Sequence, residues 1–423
     1  MNNNPNQPGK FDAVLGGQAP PPIEGVVLGG LVGLKSRLQS TVVEARVAAL
    51  SEALNYGEVG LDLVIRALQD KFRQVRHSAH LLLQQRPETQ VKLALKEYKF
   101  WSGFERLNGY PEHAITFANR KVENFDPEIG IVDPVGTAYA LRAIYEERCR
   151  GGRRRQLDLD IPDKLQLLLQ DERASQVEAL VFGKPDNYNP YCVVNSLIDA
   201  YEQLTNLKAL FIGDIEDHED MISSIVQSDL SLIFVAYPDL EVLKVRAGGI
   251  ASYWRGGGLA FQPLQHDKLK ALIIESGGLR REVIHQICNL DLLELEYLEL
   301  WLGRDNYGGT SSIEDLMPII SGELFPNLKY LGLRNSEYTD DIAAAIVKSP
   351  IIEQLIELDL SMGNLGDDGA QCLLDCPAVN QLDTLNVSQN CLRLIISQLE
   401  QLDIEIVRSN QKGSQHRYCS VAE

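Results

Sequence analysis

The chain has 423 residues, 44% of them hydrophobic, enough for one large or two to three smaller packed cores and too many for a disordered chain. The formal charge of −19 is uneven: residues 1–160 carry 21 Lys/Arg against 19 Asp/Glu, and residues 161–423 carry 19 against 40. Such an acidic C-terminal body disfavours nucleic acid. No apolar run approaches the ~18 residues of a membrane span and no signal peptide is visible, so a soluble, cytoplasmic protein is expected.

Residues 1–25, rich in Asn, Pro and Gly, read as a flexible tail. Residues 26–98 change character. "VVEARVAALSEALNYG", "EVGLDLVIRALQ", "FRQVRHSAHLLLQQR" and "ETQVKLALKEY" carry apolar residues at three-and-four spacing, which predicts amphipathic helices. The segment repeats weakly at an offset of 30, with Arg46 mapping onto Arg76 and Ala49 onto Ala79. A helical pair at this period suggests an α-solenoid. "DKFRQVRHSAHLLL", with Asp70, Val75, Arg76, Ala79 and Leu82, resembles a HEAT repeat, which implies a small all-α module.

Residues 99–160 read as a connector and as the N-terminal cap of a second domain that begins at residue 161. Turns are signalled at Asp126-Pro127 and Asp133-Pro134, and "TAYALRAIYEE" reads as a strand that caps an adjoining sheet. "RCRGGRRRQ" (148–156) reads as a solvated loop, with phosphate contact through Arg153, Arg154 and Arg155 as the alternative.

From residue 161 a different pattern takes over. L-x-x-L-x-L strings begin at Val177, Leu207, Leu240, Leu269, Leu295, Leu328, Leu355 and Leu382. Eight copies at steps of 26 to 33 residues make a leucine-rich repeat, and the period leaves room for a helix in each. In "LIELDLSMGNLGDDGAQCL", Leu358 and Leu360 point inward from a short strand. Asn364 suits the bend, and "GDDGAQCLLDC" supplies a helix start. The expected fold is α/β, a leucine-rich-repeat solenoid over 161–423 with a curved parallel sheet inside, helices outside and a C-terminal cap. The period resembles the long, ribonuclease-inhibitor-like class. The strings "FDPEIGIVDPVGTAYALR", "LELWLGRDNYGGTSSIEDLMPIISG", "LKYLGLRNSEYTDDIAAAI" and "RYCSVAE" resemble an uncharacterised family of bacterial leucine-rich-repeat proteins. That resemblance implies a binding scaffold and carries over no catalytic residue.

No phosphate-binding glycine loop, nucleophile elbow or H-E-x-x-H motif is present. The seven cysteines are scattered and odd in number, and Cys372 and Cys376 lack a second ligand pair for zinc. "GDIEDHED" (213–220) is the best metal candidate, offering Asp214, Glu216, Asp217, Glu219 and Asp220 to a hard cation. The plainer reading makes it an acidic loop that caps the next helix, "MISSIVQS". "GGGLAF" (256–261) reads as a loop interrupting the repeat.

Period-two alternation puts the residues between and just after the inward leucines on the concave face. These include Phe211, Lys244, Arg246, Glu275, Glu299, Trp301, Arg334 and Asp359. Cations within an acidic domain, beside a tryptophan on a face expected to be wet, are the usual anchors of protein interfaces. Pairing among these side chains across neighbouring strands is the competing reading. The loop Asp305, Asn306, Tyr307 rims the same face. The expectation is therefore a non-catalytic scaffold or adaptor for a protein partner, with no cofactor and no metal. The alternative is a metal-dependent small-ligand binder or enzyme using 214–220.

Overall fold

The computed structural model describes residues 30–70, 72–84, 86–97, 112–143, 159–184, 191–249, 258–402, 404–413 and 417–421. The chain divides into two compact units, Met1–Gly103 and Phe104–Glu423.

The first unit has helices α1 (Gly30–Leu38), α2 (Val43–Ala53), α3 (Gly57–Ala67), α4 (Arg73–Gln84) and α5 (Thr89–Glu97). Their apolar stripes meet in one core that includes Leu34, Leu50, Leu61, Val64, Val75, Leu83 and Val91. Ala49 and Ala79, equivalent in the 30-residue offset, are both fully buried there. Arg46 and Arg76 converge on one residue. Arg46 Nη1 contacts the Asp70 carboxylate at 2.5 Å, and Arg76 Nη1 donates to the Asp70 carbonyl at 2.7 Å. Gly60 admits no side chain, since a Cβ would lie 1.7 Å from the Ala53 carbonyl oxygen.

Among its described residues the second unit is a leucine-rich-repeat-like ladder of twelve strands in one sheet, in chain order. A short antiparallel pair, β1 (Thr116–Phe117) and β2 (Arg120–Asn124), opens it, and every later pairing is parallel. β3 (Thr137–Leu141) is the strand expected within "TAYALRAIYEE", so residues 116–141 extend the sheet itself. The remaining strands are β4 (Ala179–Phe182), β5 (Ala209–Ile212), β6 (Val242–Arg246), β7 (Ala271–Glu275), β8 (Tyr297–Gly303), β9 (Tyr330–Ser336), β10 (Glu357–Asp359), β11 (Thr384–Asn386) and β12 (Glu405–Val407).

The register keeps the motif aligned. Leu180, Leu210, Leu243, Leu272, Leu298, Leu331, Leu358 and Leu385 are successive partners. Parallel strands need crossover connections, and here these carry helices such as Tyr191–Asp199, Arg281–Cys288, Ile313–Ile320, Thr339–Ile346 and Asp367–Leu374. The inward leucines and the apolar stripes of these helices share one core. The two 33-residue steps, from Leu207 and from Leu295, are where loops 213–225 and 303–310 leave the ends of β5 and β8. Of the "GGGLAF" stretch, Leu259 and Phe261 are buried, and Phe261 lies 6.2 Å from the Phe234 ring; 250–257 are outside the described residues.

A charge ladder precedes the strands. Glu178, Lys208, Glu241, Lys270, Glu296 and Lys329 hold one repeat position, with alternating sign. Glu178–Lys208, Glu241–Lys270 and Glu296–Lys329 pair at 3.0, 2.9 and 3.0 Å.

Candidate functional site

Strand alternation sends a second set of side chains to the face away from the helices. Its centre is Glu299. The Glu299 carboxylate accepts from Arg334 Nη1 at 2.6 Å, Trp301 Nε1 at 2.7 Å and the Tyr297 hydroxyl at 2.5 Å. The Tyr330 hydroxyl lies 3.1 Å from Glu299 and 3.0 Å from Asp359, and shares its proton between them. Tyr297 and Tyr330 stack with ring centroids 3.8 Å apart. Gly332 leaves room for them, since a Cβ there would lie 2.9 Å from the Tyr330 ring. Arg334 also donates to Ser361 Oγ at 2.9 Å and Met362 Sδ at 3.0 Å, and its guanidinium sits 5.2 Å from the Trp301 ring. Asp359 is further held by the Ser361 N–H and by Asn386 Nδ2.

A second cluster is centred on Glu275, one strand away. Glu275 bridges Lys244 at 2.9 Å and Arg246 at 2.8 Å, and both cations flank the Phe211 ring at 4.7 and 5.4 Å. Arg246 Nη1 donates to the Ile215 carbonyl, while its buried Nη2 meets no hydrogen-bonding group among the described residues.

These charges set each other's titration. Burial pushes the Glu299 carboxyl up, but Arg334 and the Tyr297 and Trp301 donors outweigh it and hold the group down at about 2. Glu275 is likewise opposed by burial and held below the ordinary carboxylate range by Lys244 and Arg246. Burial disfavours the Arg334 cation, yet Glu299 and Asp359 raise it well above its usual value.

The solvent-facing surface expected from the strand pattern is corrected here. Phe211, Lys244, Arg246, Glu275, Glu299, Trp301, Arg334 and Asp359 are all buried, Trp301 with 0% exposure. Two distant segments cover the tryptophan. Trp301 forms one apolar cluster with Ile215, Ile222 and Ile225 of the loop after β5, with Met362, and with Val421 near the chain's end. The side chains pair across neighbouring strands and leave few groups open to water. The rim residues Asp305 and Asn306 are exposed, Tyr307 is half-buried, and the loop's turn ends on Gly308 at φ +91°.

The acidic loop 214–220 is occupied by ion pairs and hydrogen bonds. Asp214, fully buried, takes Arg142 Nε at 2.8 Å and the Ala114 N–H at 3.0 Å. Asp220 pairs with Lys184 at 2.7 Å, and Glu219 meets His113 Nε2 at 2.9 Å. Glu216 accepts the His113 N–H, and Asp217 is exposed. The acids thus pin β5's loop to residues 113–142 and 184 rather than capping a helix; only a short 3-10 turn, Ile222–Ser224, comes after them. Among the described residues no group of three or more His, Cys, Asp or Glu is placed to hold a metal ion, Cys372 and Cys376 included. Arg153, Arg154 and Arg155 lie outside the described residues.

Sequence reasoning missed three features. The alternating ladder at 178, 208, 241, 270, 296 and 329 was readable from the motif register. Asn390 was readable too: it is a fully buried asparagine in the turn after β11, donating to the Leu360 carbonyl and accepting from the Leu365 N–H. Asn364 does similar work one repeat earlier, accepting from the Thr339 N–H and donating to the Glu337 carbonyl. The cover provided by Val421 had no local signal.

No family model matches the chain, and no curated protein matches it. Among solved structures, a Bacteroides fragilis protein determined as a structural-genomics target is similar at TM-score 0.55 and 28% identity, over 62% of this chain and 73% of that one. An internalin of Listeria monocytogenes matches at TM-score 0.25 and 15% identity, over 59% of this chain and 83% of its own. Among the described residues no helix is long and apolar enough to cross a membrane.

Proposed function

We propose that this chain is a non-catalytic interaction scaffold that binds a protein partner over the rim of the open sheet face. The observation that carries this reading is the face itself. Its charges are spent on one another in a buried network, which makes the strands a rigid support rather than a reaction site, and the loop after β8, with Asp305 and Asn306 exposed and Tyr307 half-buried, stands at its edge. Phe211, Lys244, Arg246, Glu275, Glu299, Trp301, Arg334 and Asp359 fix the geometry of that edge; the rim makes the contact. The repeats are of the long, ribonuclease-inhibitor-like kind, with a helix in most crossovers. The first unit serves as a HEAT-like module and a second docking surface, making the chain a cytoplasmic adaptor; the repeat-equivalent Arg46 and Arg76 at Asp70 and the buried Ala49 and Ala79 support that assignment.

The test is capture from native lysate with the full chain and with Asp305→Ala/Tyr307→Ala as baits. A partner held by the native chain and lost by the still-folded variant supports the rim as the contact surface. Identical captures by both baits would count against it.

A further inference from the structure

The segment Arg417–Val421 lies across the ends of four neighbouring repeats. Cys419 Sγ is 3.9 Å from the Gly303 carbonyl at the end of β8. The Val421 N–H donates to Asn335 Oδ1 at 2.9 Å, and the Val421 carbonyl accepts from Asn335 Nδ2 at 2.5 Å. The Ser420 N–H donates to the Met362 carbonyl at 2.8 Å, and Ser420 Oγ lies 3.5 Å from the Gln389 carbonyl. Val421, 2% exposed, fills the apolar pocket of Trp301, Met362, Ile222 and Ile225.

Four of these five contacts fall on one repeat position. Asn335, Met362 and Gln389 stand 27 residues apart and have φ of +52°, +67° and +53°. A non-glycine residue in that region costs on the order of 1 kcal/mol, and such residues concentrate at binding sites. Here all three strained residues touch the same segment. At residues 420–421 the segment is held through its backbone, with the Val421 side chain in the pocket, while at its other end Arg417 pairs with Asp340 and donates to the Asn364 carbonyl at 2.8 Å. That is the logic by which extended peptides are recognised: main-chain hydrogen bonds supply affinity and a pocket supplies selectivity.

We propose that Asn335, Met362 and Gln389, with the Trp301 pocket, form a site for an extended peptide carrying a small apolar residue, and that segment 417–421 occupies it in cis. A partner strand of that kind displaces the segment. This deepens the scaffold reading and rests on it, adding the class of partner and a built-in competitor.

Cys419 reports the exchange. It is 4% exposed, and burial pushes its thiol up to about 12, so it reacts only when the segment lifts. The full native chain is treated with N-ethylmaleimide, alone and with an excess of the synthetic peptide Arg-Tyr-Ser-Ser-Val-Ala-Glu, and modification of Cys419 is followed by mass spectrometry. The peptide holds the lifted state open, so the rate should rise severalfold with its concentration, and a scrambled peptide should leave it unchanged. Asn335→Gly tolerates the left-handed backbone and removes the amide clamp. In that variant Cys419 should react severalfold faster with no response to the peptide. A native-chain rate indifferent to the peptide overturns the proposal, whatever the variant shows. The rim-loop capture measurement is independent, so failure here and failure of the scaffold reading are distinguishable.

Discussion

Glu299 is the residue on which the open face turns. It accepts from an arginine, a tryptophan and a tyrosine while fully buried, so its ionised form is worth a great deal to the folded state. Replacing it with Gln takes the nearer carboxylate from Arg334 and leaves it the more distant Asp359, 3.7 Å away. Breaking a buried pair from one side costs about 3–5 kcal/mol, and urea unfolding of Glu299→Gln at pH 7 should show a loss of that size. Adding Arg334→Met should deepen the loss rather than relieve it, because the buried Asp359 then loses its cation. The sign of the pH dependence comes from the direction of the shift. The folded-state value is about 2, below the ~4.3 of an unfolded glutamate, so the stabilisation is complete above ~4.3 and is lost as pH falls through about 2. Glu275, shifted the same way, adds to the slope. Acid unfolding of Glu299→Gln should therefore be shallower between pH ~4 and ~2 than that of the native chain.

At the scale of elements, the repeats are held by two devices of unequal strength. Asn390 satisfies backbone groups of two adjacent turns in a fully buried setting. Asn390→Ala leaves them unpaired, and a loss of at least about 2 kcal/mol in urea unfolding, at unchanged m, is expected. The ladder Glu178–Lys208, Glu241–Lys270, Glu296–Lys329 is more exposed, with Lys270 at 40%. Lys270→Glu should cost less than about 1 kcal/mol, and the cost should shrink in 1 M salt, whereas the Asn390→Ala deficit should not. The strand ladder was legible in the sequence because Leu180 through Leu385 and the apolar position preceding each strand recur in a fixed order. The identity of the face residues was legible too, through period-two alternation. Their burial was not. Alternation says which face a side chain takes, and nothing about what lies over that face. The cover on Trp301 comes from Ile222, about 80 residues earlier, and Val421, 120 residues later. The same limit explains the acidic loop, which the sequence offers as a helix cap or, alternatively, as metal ligands, and whose partners Arg142, Lys184 and His113 lie far from it in the chain.

For the whole molecule, the two units have separate apolar cores, one drawn from α1–α5 and one from the strands and helices of the repeats. A unit with its own core folds alone. Residues 104–423 expressed without the rest should unfold cooperatively, with the native near-ultraviolet signature and the same acid transition. A non-cooperative transition would show that the repeats depend on the first unit. The acidic balance of residues 161–423 is mostly a property of the surface, since the buried Lys164, Lys184, Lys244, Arg246 and Arg334 nearly match the buried Glu178, Asp214, Glu275, Glu299, Asp315, Glu357 and Asp359.

In the folded chain the open face is filled and internally neutralised, and Trp301 is covered there by the loop after β5 and by segment 417–421. Fluorescence of Trp301 in a Trp101→Phe/Trp254→Phe background tests it directly. A blue-shifted emission that resists acrylamide until the chain unfolds is the predicted result. A red-shifted, freely quenched emission from the folded chain would mean that the face is wet, and would contradict the account.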